Sequence, residues 1–265
     1  MFVELERLAM RREPVPAVVR AEPRPERTVL VRVFRGGTGV SAPRMVAYPV
    51  PVHKGMTVLD ALLWIKEHAD PTLAFRSSCR MGICGSCGML IRGEARLACE
   101  TQVATLGTEV IEVAPLPNFP LIRDLATDFT DFFGHHRRIR PHLHPPDDQD
   151  SGPFQEEFRQ TEAERLEYYQ FTMCIMCGLC DAACPIVALD REFLGPQALT
   201  QAYRFAADSR DGGQADRMRI VDTVHGCWRC ELAGSCSAVC PKGVDPALAT
   251  QLLKRKVLRR RLRRS

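Results

Sequence analysis

No stretch of the sequence is apolar for the roughly 20 residues that a membrane-spanning helix needs. The longest candidate, VLDALLWI at 58–65, is interrupted by Asp60, so the chain is not expected to cross a bilayer alone. The N-terminus, MFVELERLAMRREPVPAVVR, carries acidic residues and lacks the apolar run and small-residue cleavage site of a secretory leader. Arg11 and Arg12 form a pair, but EPVPAVV follows where a twin-arginine export signal needs an apolar segment. Also missing are a dinucleotide-binding Gly-x-Gly-x-x-Gly fingerprint and an acid-base pair in any motif. Cysteine, by contrast, is abundant, at 12 of 265 residues. With no export signal, these are read as thiolate ligands in a reducing compartment rather than as disulfides.

A hydrophobic content of 45% supports an ordinary core, and the length suits one or two domains. The net charge of +4 hides an asymmetry. KRKVLRRRLRR at 254–264 carries eight of the 36 basic residues and no acid, leaving 28 basic against 32 acidic elsewhere. The body is therefore mildly acidic and the tail strongly basic. Such a tail is either a solvated helix end or a contact for anionic lipid or a membrane partner's cytoplasmic face.

Residues 1–27 mix Arg, Glu and Pro without apolar periodicity and read as an extension with no core of its own. From Thr28 the pattern changes. TVLVRVF and MVAYPVPV alternate as strands, and TVLDALLWIKEHA places Val58, Leu62, Ile65 and Ala69 at helical spacing, with Thr57 and Asp60 as a capping box. GMLIRG, ARLACET and EVIEVAPL read as further short strands. This order predicts a small grasp-like sheet around one helix over 28–117. After Pro115 the composition turns helical, NFPLIRDLATDFTDFFGHHRRI having Leu121, Leu125, Phe129 and Phe132 in period, so 118–265 is expected to be an all-α domain. The fold class is thus α+β. His135, His136, His142 and His144 cluster near the polar linker RPHLHPPDDQDSGPF; without ligand spacing they read as a solvated loop.

The first cysteine set, Cys79, Cys84, Cys87 and Cys99, has the spacing C-x4-C-x2-C-x11-C. C-x4-C-x2-C with a distant fourth cysteine is the plant-type 2Fe-2S signature, in which a tight loop folds three thiolates around the cluster. Gly82, Gly85 and Gly88 suit such a loop. Four thiolates also suit zinc, but structural zinc ordinarily uses two close Cys pairs, and here the last cysteine stands alone.

CIMCGLCDAACP supplies Cys174, Cys177, Cys180, Cys184 and Pro185, the bacterial ferredoxin run, whose fourth cysteine ligates the other of two clusters. Aligning Cys240-Pro241 with Cys184-Pro185 makes the second run Cys230, Ala233, Cys236 and Cys240. By the crossing rule, Cys174, Cys177, Cys180 and Cys240 hold 4Fe-4S. Cys184, Cys230 and Cys236 hold the other cluster, whose corner at Ala233 has no thiolate, so 3Fe-4S is the natural occupant. Cys227 falls outside the motif and reads as a buried free thiol, with recruitment as an irregular fourth ligand the alternative.

Three clusters in this order, together with SCRMGICGSCGM, NFPLIRDL, YYQFTMCIMCGLCDAACP, FLGPQAL, ADSRDG and CSAVCPKGVDP, resemble the iron-sulfur subunit of the succinate dehydrogenase and fumarate reductase family, nearest its fumarate reductase branch. The resemblance covers roughly residues 28–256. It implies an N-terminal β-grasp 2Fe-2S ferredoxin-like domain and a bacterial-ferredoxin-like helical domain. It also implies a subunit at the cytoplasmic face of the cell membrane, peripheral, passing single electrons between the FAD of a flavoprotein subunit and a quinone at membrane-anchor subunits. Substrate chemistry would then belong to the flavoprotein. Ubiquinone-reducing members have a Trp after the first C-P and a His after the first cysteine of the second run. Leu189 and Glu231 stand there, which favours menaquinone. Lys254 matches a family lysine near the quinone, and Trp228 is placed to wall the same region. Two other classes are a soluble iron-sulfur adaptor of another dehydrogenase and a zinc-stapled nucleic-acid binder; the acidic body and iron-type motifs oppose the latter, and no nucleic acid partner is expected.

Overall fold

A computed structural model of the chain describes residues 27–144 and 157–263. The expected N-terminal extension, apart from its last residue, and most of the expected linker lie outside the described residues. β1 (Arg27–Arg35) and β2 (Arg44–Val52) pair antiparallel, with Val29, Val31 and Val33 alternating into the core beside Tyr48, Val50 and Val52. Each such valine buried contributes about 1.5–3 kcal/mol. Helix α1 (Val58–His68) starts at the expected capping box, where Thr57 and Asp60 satisfy each other's backbone N–H. Val58, Leu62 and Ile65 face the core, but Ala69 is exposed. The helix closes at His68 as the Asp70 N–H bonds the Ile65 carbonyl, and the Asp70 carboxylate is held by Arg35, Tyr48 and Thr72.

The sheet is completed by β3 (Gly88–Ile91), β4 (Glu94–Leu97) and β5 (Val110–Ala114) in the order β2-β1-β5-β3-β4. β1 and β5 run parallel, whereas the other neighbours are antiparallel. The cysteine loop enters the sheet directly at β3.

Residues 118–129, expected to be helical, instead form a hairpin of β6 (Leu121–Arg123) and β7 (Ala126–Thr127). Asn118 and Asp124 have φ of +67° and +52°, incompatible with a helix. Asp124 is fully buried, and its carboxylate accepts from the N–H groups of Gly36 and Ala74 and faces Arg35. Those long-range bonds outweigh the apolar period. Helix α2 (Thr130–Arg138) begins only after the hairpin.

The remainder is helical. α3 (Glu162–Leu166) and α4 (Tyr169–Thr172) lead into α5 (Leu179–Ala182), α6 (Pro185–Leu189) and α7 (Gly195–Ala206). Ten of the twelve residues of α7 are buried, making it the centre of the second core. α8 (Gln214–Val221), a 3-10 turn at Cys227–Arg229, α9 (Ser235–Ala238) and α10 (Pro246–Leu262) follow. Ala249, Leu253 and Val257 lay α10 on the second core. Cys177, Leu179 and Ala182 belong to the sheet's core, so α5 is the joint between the two halves. Among the described residues no helix is long and apolar enough to cross a membrane.

Candidate metal centres

Cys79, Cys84 and Cys87 lie on one loop, and Cys99 follows β4. Arg80, Gly82 and Gly85 have positive φ, which curls the loop so that its N–H groups turn inward. The N–H groups of Met81, Ile83 and Cys84 point at Cys79 Sγ from 3.5, 3.3 and 3.3 Å. Such a nest stabilises negative charge on sulfur. The four thiols do not share one environment. Hydrogen bonding from Ser86 draws the exposed Cys84 thiol down to about 6, while burial pushes Cys87 up to about 12.

The two later runs line two separate cavities. Cys174, Cys177, Cys180 and Cys240 line one, with Gln197 and Thr200 of α7 in its wall. Cys184, Cys230 and Cys236 line the other, and Ala233 lines it too. Each run thus places its last cysteine in the wall of the other's cavity. Burial raises the thiols of Cys174, Cys180 and Cys184, takes Cys177 to about 12 and Cys236 to about 11. Buried thiolates need compensating positive charge, which a metal centre supplies. Thiols spread around a cavity, rather than meeting at a point, suit a multi-atom group.

The backbone repeats itself around the two cavities. Met176 (φ +53°) and Gly178 (+77°) flank Cys177, and Leu232 (+57°) and Gly234 (+77°) flank Ala233. Ala233 thus stands in the second loop where Cys177 stands in the first. The residues after the third cysteine also correspond. Asp181 Oδ2 accepts from the Gln197 N–H near the start of α7, and Ser237 Oγ accepts from the Ala247 N–H near the start of α10.

The sites are contiguous. A Cβ on Gly85 would lie 2.7 Å from Cys177 Cα, so the first loop rests on the backbone of the first ferredoxin run. Only a residue without a side chain permits that approach. Cys184 sits on the short segment joining α5 to α6, which carries the chain from the middle cavity to the last.

Lys254 Nζ donates to the Cys230 carbonyl at 2.8 Å, tying α10 to the second run. Trp228 Nε1 donates to Asp222 at 2.7 Å, under the Arg261 guanidinium. Neither side chain lines the last cavity; Lys254 touches it through Cys230, whereas the Trp228 ring is turned to Asp222 and Arg261. Cys227 is fully buried in the second core and lines neither cavity; burial pushes its thiol to about 11. The His142 and His144 rings lie 4.3 Å apart, tilted by 41°, and His136 meets Gln197 at 3.2 Å. Among the described residues no three His, Cys, Asp or Glu converge as a single-ion site.

Two supporting residues escaped the sequence reading. Asn118 Nδ2 lies 2.9, 3.0 and 3.1 Å from the carbonyls of Asp181, Ala182 and Cys184, clamping the end of the first run from 63 or more residues away. Asp181 is buried beside Cys180, and burial pushes its carboxyl up to about 7. The positive φ of Asn118 is typical of asparagine, but nothing local in the sequence names its partners.

Residues 30–134 match the family described as 2Fe-2S iron-sulfur cluster binding domain, and residues 170–244 match the 4Fe-4S dicluster domain. The chain is 49% identical to the fumarate reductase iron-sulfur subunit of Mycobacterium tuberculosis, over 81% of this chain and 86% of that protein. The chain belongs to the fumarate reductase iron-sulfur subunit family. The Escherichia coli subunit of the same name is 44% identical, over 80% of this chain and 85% of its own. Among solved structures, a chain of the Mycobacterium smegmatis Sdh1 complex in the apo form superposes with a TM-score of 0.79 at 31% identity, over 88% of this chain and 97% of that one. As an iron-sulfur subunit of this family the chain has both cluster-binding domains, and the inward N–H nest, buried thiols and crossed cavities fit such groups.

Proposed function

We propose that the chain relays single electrons between the FAD of a flavoprotein subunit and a quinone at a membrane anchor. In this reading Cys79, Cys84, Cys87 and Cys99 hold 2Fe-2S in a grasp-like ferredoxin domain. Cys174, Cys177, Cys180 and Cys240 hold 4Fe-4S, and Cys184, Cys230 and Cys236 hold 3Fe-4S, in a helical bacterial-ferredoxin-like domain. Such clusters supply one-electron redox steps, which are needed where a flavin and a quinone each exchange two electrons. The observation that carries the reading is the crossed pair of cysteine cavities, the middle one abutting the first loop where Gly85 meets Cys177.

The chain's own residues have defined tasks in this scheme. Thiolates neutralise and hold iron, and the N–H groups aimed at Cys79 Sγ tune the site's charge. Ala233 leaves one corner of the last site without a thiolate. Lys254, fixed to the Cys230 carbonyl, and Trp228 border the quinone end. Leu189, 76% exposed, and Glu231 stand where ubiquinone-reducing relatives have Trp and His, which supports menaquinone. The subunit is peripheral, on the cytoplasmic face of the cell membrane, and docks on anchor subunits there. Carbon chemistry belongs to the flavoprotein.

Electron paramagnetic resonance of the purified complex tests this. A 3Fe-4S signal in the oxidised state, with 2Fe-2S and 4Fe-4S signals on reduction, is the expected result. Two 4Fe-4S signals on reduction and none when oxidised would show that Cys227 completes the last site.

A further inference from the structure

Four cations, Lys256, Arg259, Arg260 and Arg263, line a groove between the C-terminal half of α10 and the side of α8, where Gln214 and Met218 form the other wall. The groove encloses about 990 Å³ of empty space open to solvent. Among the described residues none of the four has a carboxylate within salt-bridge reach. The nearby acids are engaged elsewhere: Asp216 holds Arg140 and Arg219, and Asp222 holds Arg261. Glu167 acts on Lys256 only at longer range. Arg260 is oriented by a 2.5 Å bond to the Ala215 carbonyl, and the Lys256 ammonium lies 5.9 Å from the Tyr203 ring centre. Burial lowers the Lys256 pKa, and neighbouring Arg259 adds to that against the longer-range pull of Glu167.

Helix energetics does not account for this concentration. The C-terminus of a helix carries the equivalent of about half a negative charge, far less than the basic residues gathered there. The outer face adds a second feature. Leu258 and Leu262, one turn apart, are 47% and 76% exposed. At 3.6 residues per turn, exposed Arg255 and Arg259 lie between those leucines and the groove. Apolar side chains flanked by arginines with a cationic groove behind them match the boundary of a bilayer, where arginines reach phosphates and leucine enters the acyl layer. A polyanion in solution would use the cations and leave the exposed leucine at 258 unused.

We propose that the groove between α8 and α10 binds the phosphate headgroups of anionic lipids, with Leu258 entering the acyl boundary. This does not depend on which clusters the cysteines hold. The test is co-sedimentation of the full, cluster-loaded chain, purified without membrane subunits, with vesicles of phosphatidylcholine with or without phosphatidylglycerol. Binding is expected only to the anionic vesicles and to weaken with salt. R259Q and R263Q should each reduce it about fivefold, and the pair about 25-fold. L258N should reduce it about tenfold without changing any affinity for inorganic pyrophosphate. R96Q, on the far sheet, should leave it unchanged. Equal binding to neutral vesicles, or wild-type binding by the double variant, overturns the proposal. So does pyrophosphate binding with vesicle association indifferent to L258N, which would make the groove a soluble-anion site. Loss of the anchor subunits from the purified R259Q/R263Q complex, with vesicle binding intact, would assign the groove to a protein partner and equally overturn it.

Discussion

The loops around Cys177 and Ala233 make the same turn twice. Each has a left-handed residue before the central position and a left-handed glycine after it, then a short helix that carries a polar residue aimed at the start of a long helix. What differs is one side chain, a thiol in the first loop and a methyl in the second. Backbone conformation therefore sets where the corners of each cavity lie, and the residue at the corner sets what those corners can hold. The surroundings differ as well. The first loop is wedged against the aromatic cluster of Phe119 and Phe129, while the second is open on that side.

The comparison breaks most severely at a cysteine of the middle cavity. Cys180→Ala should abolish electron flow from succinate to quinone, exceeding the about 100-fold that losing an outer partner of a metal site costs, with loss of the 4Fe-4S signal. Ala233→Cys should make the loops chemically alike. The oxidised-state signal of the last site should then vanish and a reduced-state signal appear. If the potential drops, each ~59 mV leaves the site tenfold less reduced, and quinone reduction should slow accordingly.

A smaller effect separates the two glycines. Gly178→Ala places a Cβ 2.7 Å from the Phe129 ring at φ +77°, whereas Gly234→Ala meets nothing within 4 Å at the same φ. Both incur about 1–2 kcal/mol for a left-handed alanine. Only the first adds overpacking of about 1–3 kcal/mol, so thermal unfolding should fall several degrees further for Gly178→Ala. Equal losses would mean that Phe119 and Phe129 yield freely.

The subtlest difference is Asp181 against Ser237. Asp181 has a folded-state pKa raised from 3.8 to about 7, so the native protein keeps a proton that the unfolded chain releases. Its contribution to stability is therefore greatest below pH 3.8 and declines as pH rises towards 7. Asp181→Asn should flatten the slope of thermal stability across that window, and Ser237→Ala should leave it as it is.

Much of the candidate site was legible in the sequence because cysteine spacing within a loop is a local property. Three cysteines within seven or nine residues constrain one turn of chain, and the C-P endings aligned the two runs well enough to single out Ala233. The capping box at Thr57 and the strand alternation of β1 were equally local. The hairpin at 121–127 was not legible. Leu121, Leu125, Phe129 and Phe132 do fall at helical spacing, but the conformation is decided by Asp124, whose carboxylate bonds N–H groups 50 and 88 residues away. Asn118 escaped for the same reason, since an amide that clamps three carbonyls of a distant loop has no periodic signature.

By itself the sequence determined the cysteine inventory, the division into two kinds of cysteine loop and the one position that lacks a thiol, because these follow from residue identity and short-range spacing. Only the tertiary structure decided that Gly85 rests on Cys177, that each run completes the other's cavity, and that the basic residues of α10 form a groove against α8. Those outcomes depend on which surfaces pack together across the chain, through α5 buried in the sheet's core and α7 at the centre of the helices.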